Sequence, residues 1–230
     1  MTAYAELRTA VLEANLALPA YGLVALTWGN ASAIDREQGV VAIKPSGVPY
    51  DALTADDIAV LNLDGEIVEG DHSPSTDAPT HLELYRAFEQ VGGVVHTHST
   101  WATVWAQAQR EIPLYGTTHA DLCAEPIPVT RALTPEEIED GYELNTGVAL
   151  IDAIASVGPT RLPCALVRGH APFIWGPTAA KAVENAVTLE QVARMAFLTV
   201  TLEPSAPQLD PAVRQKHYER KHGPHAYYGQ

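Results

Sequence analysis

Apolar residues recur at helical spacing in several parts of the chain. Over residues 3–18 they repeat about every three to four positions, which predicts an amphipathic helix that Pro19 and Gly22 end. The same spacing predicts further helices over residues 80–91, 100–109, 178–200 and 212–222. Pro79 suits the first turn of the second helix, and Gly92-Gly93 suits its end.

Short apolar runs between these helices indicate β-strands. The runs are LVALTW (23–28), VVAI (40–43), IAVLNL (58–63), VVHTH (94–98) and CALVRGHAPFIW (164–175), the last as two short strands or one bent strand. Asp64-Gly65 separates the third run from EIVEG, a combination typical of an antiparallel hairpin. Because no internal repeat or linker interrupts residues 1–230, the pattern predicts one mixed α/β domain with helices covering a partly antiparallel sheet.

Composition narrows the classes of partner. The chain has 230 residues, a formal net charge of −14 and a pI of about 4.9. This charge argues against nucleic acid or an anionic membrane as the main partner. An anionic small molecule would have to be held by local donors such as backbone N–H groups, a lysine or a metal ion.

The sequence shows no clear signal peptide, membrane span or disulfide framework. No apolar run approaches the ~20 residues of a membrane span, and the start, MTAYAELRTA, lacks the apolar core of a signal peptide. Cys123 and Cys164 are too few for a disulfide framework and fit buried, reduced thiols. We therefore expect a cytoplasmic protein without a membrane anchor.

Two histidines form the first candidate for chemistry. His96 and His98 would project from one face of a strand, at a separation that suits two ligands of one cation. Alone, the pair fits hydrogen-bonded polar residues at a strand end equally well. His170, in RGHAPF, is a possible third ligand or a turn residue. Asp77, in PSTDAPT, is a possible fourth ligand or the N-cap of the next helix. Three histidines and one aspartate would suit Zn²⁺ or a related divalent ion.

Polar loops supply candidates for phosphate binding. In IKPSGVPY, Lys44 offers charge, Ser46 a hydroxyl and Gly47 close backbone approach, although PSG is also common turn chemistry. Ser75-Thr76 adds two hydroxyls, and Gly29-Asn30 adds a third polar loop.

Two further motifs carry groups that move protons. In GTTHAD, Thr117 and Asp121 stand in a polar run, where the aspartate either caps a turn or acts as a general acid or base. The tail ends with Tyr227 and Tyr228, where frayed polar residues are usual. These rings either dock on the core of their own chain or cover an active site, possibly that of a neighbouring subunit.

The motifs together resemble one family. TWGN, IKPSGV, TADD, PSTDAPTH, VVHTHS, GTTHAD, GHAPFIWG, KHY and the terminal AYYGQ follow the order and spacing of the L-ribulose-5-phosphate 4-epimerases, within the wider class II sugar-phosphate aldolases. The resemblance covers nearly the whole chain. It implies an α/β/α sandwich around a mostly antiparallel central sheet, and a homotetramer with active sites between subunits.

The resemblance also implies roles for individual residues. His96, His98 and His170 match the zinc-binding histidines, and Asp77 matches the acidic residue counted with them. Asp121 and Tyr228 match the acid/base pair. The matching substrate-binding and phosphate-binding positions are Gly29, Asn30, Lys44, Ser46, Gly47, Ser75 and Thr76, and the matching supporting positions are Thr117, Glu143 and His217.

The reaction that the resemblance implies is the zinc-assisted interconversion of L-ribulose 5-phosphate and D-xylulose 5-phosphate in L-arabinose catabolism. It proceeds by retro-aldol cleavage and re-addition between C3 and C4. The alternative is an aldolase of the same group, acting on a related ketose phosphate. One departure from the family pattern is Arg168, which stands where many relatives have a second histidine, two residues before His170.

Overall fold

An antiparallel sheet of seven strands forms the centre of the fold. The computed structural model describes residues 4–228. The strands are β1 (Asn30–Asp35), β2 (Val40–Ile43), β3 (Ala59–Asn62), β4 (Ile67–Glu69), β5 (Gly93–His96), β6 (Cys164–Leu166) and β7 (Pro172–Gly176). They lie in the order β4-β3-β2-β1-β5-β7-β6, and each neighbouring pair is antiparallel.

Helices cover both faces of this sheet. They are α1 (Ala5–Ala20), α2 (Ala78–Ala87), α3 (Thr100–Gln107), α4 (Thr117–Leu122), α5 (Pro135–Ile154), α6 (Ala179–Leu202) and α7 (Pro211–His222). Helices α1 and α6 pack together and contact β1 from one side, while α2 and α5 pack against each other. A single 3₁₀ turn, Ala55–Asp57, precedes β3.

Strand β1 shows how the two layers are divided. The Ser32 hydroxyl lies 2.7 Å from both His81 Nδ1 and the Tyr85 hydroxyl, so this side chain faces α2. Ala31 points to the opposite face because side chains alternate along a strand. There Asn15 of α1 hydrogen-bonds both the N–H and the carbonyl of Ala31, at 2.8 and 3.0 Å. The predicted α/β/α sandwich around an antiparallel sheet is therefore confirmed.

Most predicted elements are present with shifted ends. The first helix continues through Pro19 to Ala20, and its predicted first residue lies outside the described residues. The second helix ends at Ala87, because Phe88 is already extended and the chain turns towards β5. Two short strands, β6 and β7, replace the apolar run at 164–175, and β3 and β4 form the predicted hairpin.

The predicted strand at residues 23–28 is wrong. This segment forms turns, with Leu26 at φ +54° and 79% exposed, and Trp28 56% exposed. The strand begins at Asn30, in the small and polar sequence NASAID. The apolar run was therefore a misleading signal, since the strand forms from the residues that follow it.

Sequence analysis also missed α4 and α5. A capping box opens α5, where the Thr134 hydroxyl accepts from the Glu137 N–H and the Glu137 carboxylate accepts from the Thr134 N–H. With Pro135 in the first turn, these residues carried a readable start signal. The apolar repeat was obscured because Gly141 breaks the helix with φ +153°.

Among residues 4–228, no helix combines the length and apolar character needed to span a bilayer. Cys123 and Cys164 are free and fully buried, and burial raises the pKa of both thiols. The expectation of buried, unpaired cysteines is met.

One buried histidine makes stability depend on pH. His119 is 3% exposed and donates from Nε2 to the Glu125 carbonyl at 3.0 Å. Burial lowers its pKa to about 4, below the ordinary value of 6.5. The unfolded chain therefore binds more protons as the pH falls below 6.5, and stability drops until the pH nears 4.

We expect His119→Gln to lessen this acid sensitivity. The loss of unfolding free energy between pH 7 and pH 5 should shrink by about 2 kcal/mol relative to the unmodified chain, as measured by urea unfolding. His72→Gln is the control, because His72 is an exposed histidine. Equal pH dependence in the His119 variant and the unmodified chain would show that His119 does not cause the effect.

Candidate metal and substrate site

Three imidazoles converge at one end of the sheet. His96 is the last residue of β5, His98 follows in the irregular segment before α3, and His170 lies in the turn between β6 and β7. One ligand nitrogen of each histidine lies within 4.8 Å of those of the other two. The strand thus ends before His98, whose ring centroid lies 5.0 Å from that of His96.

The tautomer of His96 is fixed by the backbone. His96 Nδ1 lies 3.0 Å from the Pro172 carbonyl oxygen, which can only accept, so Nδ1 carries the proton. The Nε2 lone pair therefore faces His170 Nε2 across 3.3 Å. Two ligands of a tetrahedral Zn²⁺ with bonds of about 2.0–2.1 Å lie about 3.4 Å apart, so the spacing fits a divalent ion.

Burial keeps these imidazoles neutral. It lowers the pKa of His96 to about 4, and it also lowers the pKa of His98 and His170. Neutral imidazole is the form that binds metal. The donor set is therefore chemically ready for a cation at neutral pH.

The carboxylate of Asp77 lies beside the three histidines but outside the converging group. Asp77 is the N-cap residue of α2, yet its side chain makes no capping hydrogen bond. Its Oδ2 accepts instead from Asn30 Nδ2 at 2.7 Å and from the Ser75 hydroxyl at 3.3 Å. Burial raises the pKa of Asp77, but the surrounding histidines, once protonated at low pH, and the hydrogen bond from Asn30 outweigh this and leave the pKa lowered.

Two polar loops lie across a cavity from the three histidines. The Ser46 N–H donates to the Ser73 carbonyl at 2.9 Å, and the Ser75 N–H donates to the Lys44 carbonyl at 3.0 Å. These backbone bonds join the loop after β2 to the loop before α2. A cavity of about 490 Å³ lies among the loops and the histidines, and the predicted residues lining it are Gly29, Asn30, Lys44, Ser46, Gly47, Ser75, Thr76, Asp77, His96, His98 and His170.

Lys44 gives this cavity a positive charge. Its side chain is 1% exposed, and Nζ lies 3.3 Å from the Pro45 carbonyl and 4.8 Å from the centre of the Tyr50 ring. Burial lowers the pKa of the ammonium. A buried cation with so few acceptors is stabilised by an anionic ligand, despite the negative net charge of the chain.

Gly29 brings the TWGN loop against the converging histidines. Its φ is +78°, and a Cβ here would lie 2.8 Å from the His96 carbonyl oxygen, so only glycine fits. The Tyr50 hydroxyl lies 2.9 Å from the carbonyl oxygens of both Trp28 and Gly29 and holds the loop in place. Trp28 consequently lies at the cavity, with its ring centroid 6.2 Å from that of His98.

A second group of polar residues, which we call the tail cluster, consists of Asp121, His217, Arg220 and Tyr228. The Asp121 carboxylate accepts from Arg220 at 2.7 and 3.1 Å and from His217 Nδ1 at 3.2 Å. The Arg220 guanidinium lies 4.0 Å from the centre of the Tyr228 ring. Helices α4 and α7 pack together, so this cluster joins the GTTHAD motif to the tail.

Within one chain, the tail cluster is separate from the metal cavity. Of the described residues, those lining the cavity include neither Asp121 nor His217 nor Tyr228. Thr117 is the first residue of α4, on the same helix as Asp121. Glu143 follows Tyr142 on α5 and accepts a hydrogen bond from Thr80 through its backbone carbonyl. Gly229 and Gln230 of the terminal motif lie outside the described residues.

Three residues near these groups were not predicted from the sequence. Arg220 links Asp121 to Tyr228, and only its place in a basic helix was readable. Tyr142 lies with its ring centroid 6.5 Å from that of His170. His81 is fully buried behind the site, and burial lowers its pKa to about 3. The position of His81 at the end of the PSTDAPTH motif was the sequence feature that could have identified it.

Arg168, which stands where many relatives have a histidine, does not displace His170. The Arg168 side chain is exposed. The backbone N–H of Arg168 donates to the Thr130 hydroxyl at 3.0 Å. His170 still reaches the other two imidazoles.

Solved structures share this fold. An L-fuculose 1-phosphate aldolase has a TM-score of 0.80 at 22% identity, with 94% of this chain and 95% of that one covered. YgbL of Klebsiella pneumoniae, provisionally described as an aldolase, epimerase or decarboxylase, has a TM-score of 0.73 at 23% identity, covering 92% and 97%. The L-fuculose-1-phosphate aldolase of Thermus thermophilus has a TM-score of 0.68 at 24% identity, covering 89% and 100%.

The family assignment comes from the sequence match. The family described as Class II Aldolase and Adducin N-terminal domain matches residues 9–197, which include all three converging histidines, Lys44 and Asp121. The chain therefore belongs to the class II aldolase family.

Proposed function

We propose that this chain is an epimerase that interconverts L-ribulose 5-phosphate and D-xylulose 5-phosphate, in the breakdown of L-arabinose. The observation that carries the proposal is the pairing of a carboxylate and a phenol, Asp121 and Tyr228, around one guanidinium. Inversion at a carbon that bears a hydroxyl needs one proton-transferring group for each face. A carboxylate and a phenol, one on each side of the substrate, would meet that requirement.

The chemistry explains why a bond must break. The C4 hydrogen is not adjacent to the C2 carbonyl, so its removal would leave an unstabilised carbanion. Cleavage of C3–C4 avoids this: the C4 hydroxyl gives up its proton as C4 becomes an aldehyde carbon. When the aldehyde has turned over and C3–C4 re-forms, the new C4 alkoxide takes a proton on the other face.

We assign Asp121 and Tyr228 to these two proton transfers, with Thr117, Glu143 and His217 supporting them. His217 already donates to the Asp121 carboxylate at 3.2 Å, which orients the carboxylate. Arg220 contacts both the Asp121 carboxylate and the Tyr228 ring and so links the two groups.

His96, His98 and His170 would hold one Zn²⁺ or a related divalent ion, with Asp77 counted as the acidic residue of the set. When bound, such an ion supplies Lewis-acid polarisation of the oxygens next to the bond that breaks. The spacing of the imidazoles and the fixed tautomer of His96 support this assignment.

The loop residues would hold the phosphorylated fragment while it turns. Ser46, Gly47, Ser75 and Thr76 offer hydroxyl and N–H donors around the Lys44 ammonium. The Asn30 amide oxygen is buried without a partner among the described residues, so it is ready to accept from a sugar hydroxyl. Retention of the fragment distinguishes an epimerase from an enzyme that releases it.

The acid/base pair must reach the metal cavity from outside the chain that forms it. Because the tail cluster does not line the cavity of its own chain, we propose a homotetramer in which a neighbouring subunit supplies Asp121 and Tyr228. The exposed position of Tyr228, at 49%, fits a residue that acts across an interface.

The alternative function is cleavage alone, as an aldolase of a related ketose phosphate. The similarity to two L-fuculose 1-phosphate aldolase structures favours this second candidate. An aldolase releases the aldehyde fragment, whereas an epimerase retains and re-adds it.

The two candidates are separated by an assay of the zinc-loaded protein with L-ribulose 5-phosphate. We expect D-xylulose 5-phosphate to form while a trap that reduces free aldehydes consumes no glycolaldehyde phosphate. Accumulation of the trapped aldehyde, or cleavage of L-fuculose 1-phosphate under the same conditions, would support the aldolase. No turnover of either substrate, with metal content confirmed, would contradict both candidates.

A further inference from the structure

Helix α3 connects two of the three histidines that form the candidate metal site. It begins at Thr100, two residues after His98. Near its other end, the Ala106 carbonyl accepts from the Gly169 N–H at 2.9 Å, and Gly169 precedes His170. Any movement of α3 therefore moves both histidines relative to His96, which belongs to the sheet.

The start of α3 lacks a cap of its own. Ser99 is the N-cap residue, but its side chain makes no capping hydrogen bond. The first N–H groups of a helix need acceptors from elsewhere when they are buried. The N–H of Ala102, a fully buried residue, is one of these groups.

Glu190 of α6 supplies the missing acceptors. Its Oε1 accepts from the Trp101 N–H at 2.9 Å, and its Oε2 accepts from the Ala102 N–H at 3.0 Å. The side chain is 8% exposed, so these bonds are protected from solvent. A carboxylate at this end also stabilises the helix through its dipole.

A second hydrogen bond joins α3 to α6. The Trp105 indole N–H donates to the Ala193 carbonyl of α6 at 3.0 Å. Glu190 and Ala193 lie one turn apart on α6, so α3 is held to the same helix at both its start and its middle. The Glu190 contact is the only one of the two that involves a charged group.

We propose that Glu190 is a positioning residue for the metal site, acting through α3 on His98 and His170. It is not among the described residues that line the cavity or that form the histidine group. Its two hydrogen bonds set the distance between these histidines and His96, and therefore the affinity of the site for a divalent ion. The inference rests on the proposed metal site.

Metal affinity, rather than activity, tests this role. Metal-free protein is titrated with Co²⁺ and followed by its visible absorbance, which reports both affinity and ligand geometry. We expect Glu190→Gln to weaken binding about 10- to 100-fold, as losses of supporting hydrogen bonds do in metal sites. The glutamine amide has nearly the same size but turns a donor towards one of the two N–H groups.

Two further variants separate positioning from folding. Glu184→Gln is the matched control, because Glu184 lies on the same helix, its side chain is 66% exposed, and its carboxylate pairs with nearby Lys181 at 2.7 Å. It should bind Co²⁺ as the unmodified chain does. Glu190→Asp keeps the charge on a shorter arm and should bind more tightly than Glu190→Gln, which a purely steric role does not predict.

All variants are compared at a temperature where circular dichroism shows them folded. A folded Glu190→Gln protein that binds Co²⁺ within threefold of the unmodified chain, with the same spectrum, would overturn the inference while leaving the metal site standing. If the unmodified chain itself bound no Co²⁺, the metal site and this inference would both be wrong.

Discussion

Replacement of His96 by asparagine should abolish metal retention. His96 supplies one of three converging nitrogens, and the Pro172 carbonyl fixes the tautomer that leaves its Nε2 lone pair free for a metal ion. We expect the variant to lose more affinity than the about 10- to 100-fold caused by loss of a supporting hydrogen bond. Elemental analysis after dialysis against buffer without chelator measures the retained zinc, and turnover should fall with it.

His72→Asn provides the matched control for this result. His72 is exposed and pairs with Asp57 at 3.1 Å, away from the converging histidines. Its metal content should equal that of the unmodified chain. Unchanged zinc in a folded His96→Asn protein would remove His96 from the ligand set.

Replacement of Tyr228 by phenylalanine should leave the fold and metal content intact but remove most turnover. Phenylalanine keeps the ring that lies over Arg220, and the Tyr228 N–H still donates to the Arg220 carbonyl at 3.1 Å. The variant loses only the hydroxyl that we assign to proton transfer. Loss of a general acid or base costs about 10²- to 10⁴-fold in kcat, and we expect a change in this range with little change in KM.

Tyr227→Phe removes the same hydroxyl from the adjacent residue. Tyr227 is 67% exposed and its ring lies 5.6 Å from the Lys216 ammonium, outside the tail cluster. Its kcat should remain near that of the unmodified chain. Full activity in Tyr228→Phe, or an equal loss in both variants, would exclude a specific role for the Tyr228 hydroxyl.

The sequence predicted the fold well where local signals agree with packing. The helices with sustained apolar periodicity and the hairpin at Asp64-Gly65 are present with ends shifted by a few residues. Prediction failed at residues 23–28, where apolar side chains are exposed near the site, and at α5, where Gly141 interrupts the period. In both places the local sequence pattern disagrees with the conformation that the chain adopts in the folded protein.

The motifs predicted the residues of the candidate site, but strand alternation does not by itself account for the positions of His96 and His98. Alternation on a strand was expected to align His96 and His98; strand β5 ends at His96, and the two ring centroids lie 5.0 Å apart. The capping role considered for Asp77 is not seen in its side chain, which accepts from Asn30 and Ser75.

By itself, the sequence determined the class of the fold, the set of polar residues at the cavity and the family to which the chain belongs. These depend on residue types and short spacings, which a linear chain carries directly. Only the tertiary structure decided which groups meet. It showed that Arg220 joins Asp121 to the tail and that Glu190 caps α3, because both contacts link residues about 90 to 100 positions apart. It also showed that the tail cluster lies apart from the metal cavity of its own chain, since that separation depends on helix packing and not on any spacing along the sequence.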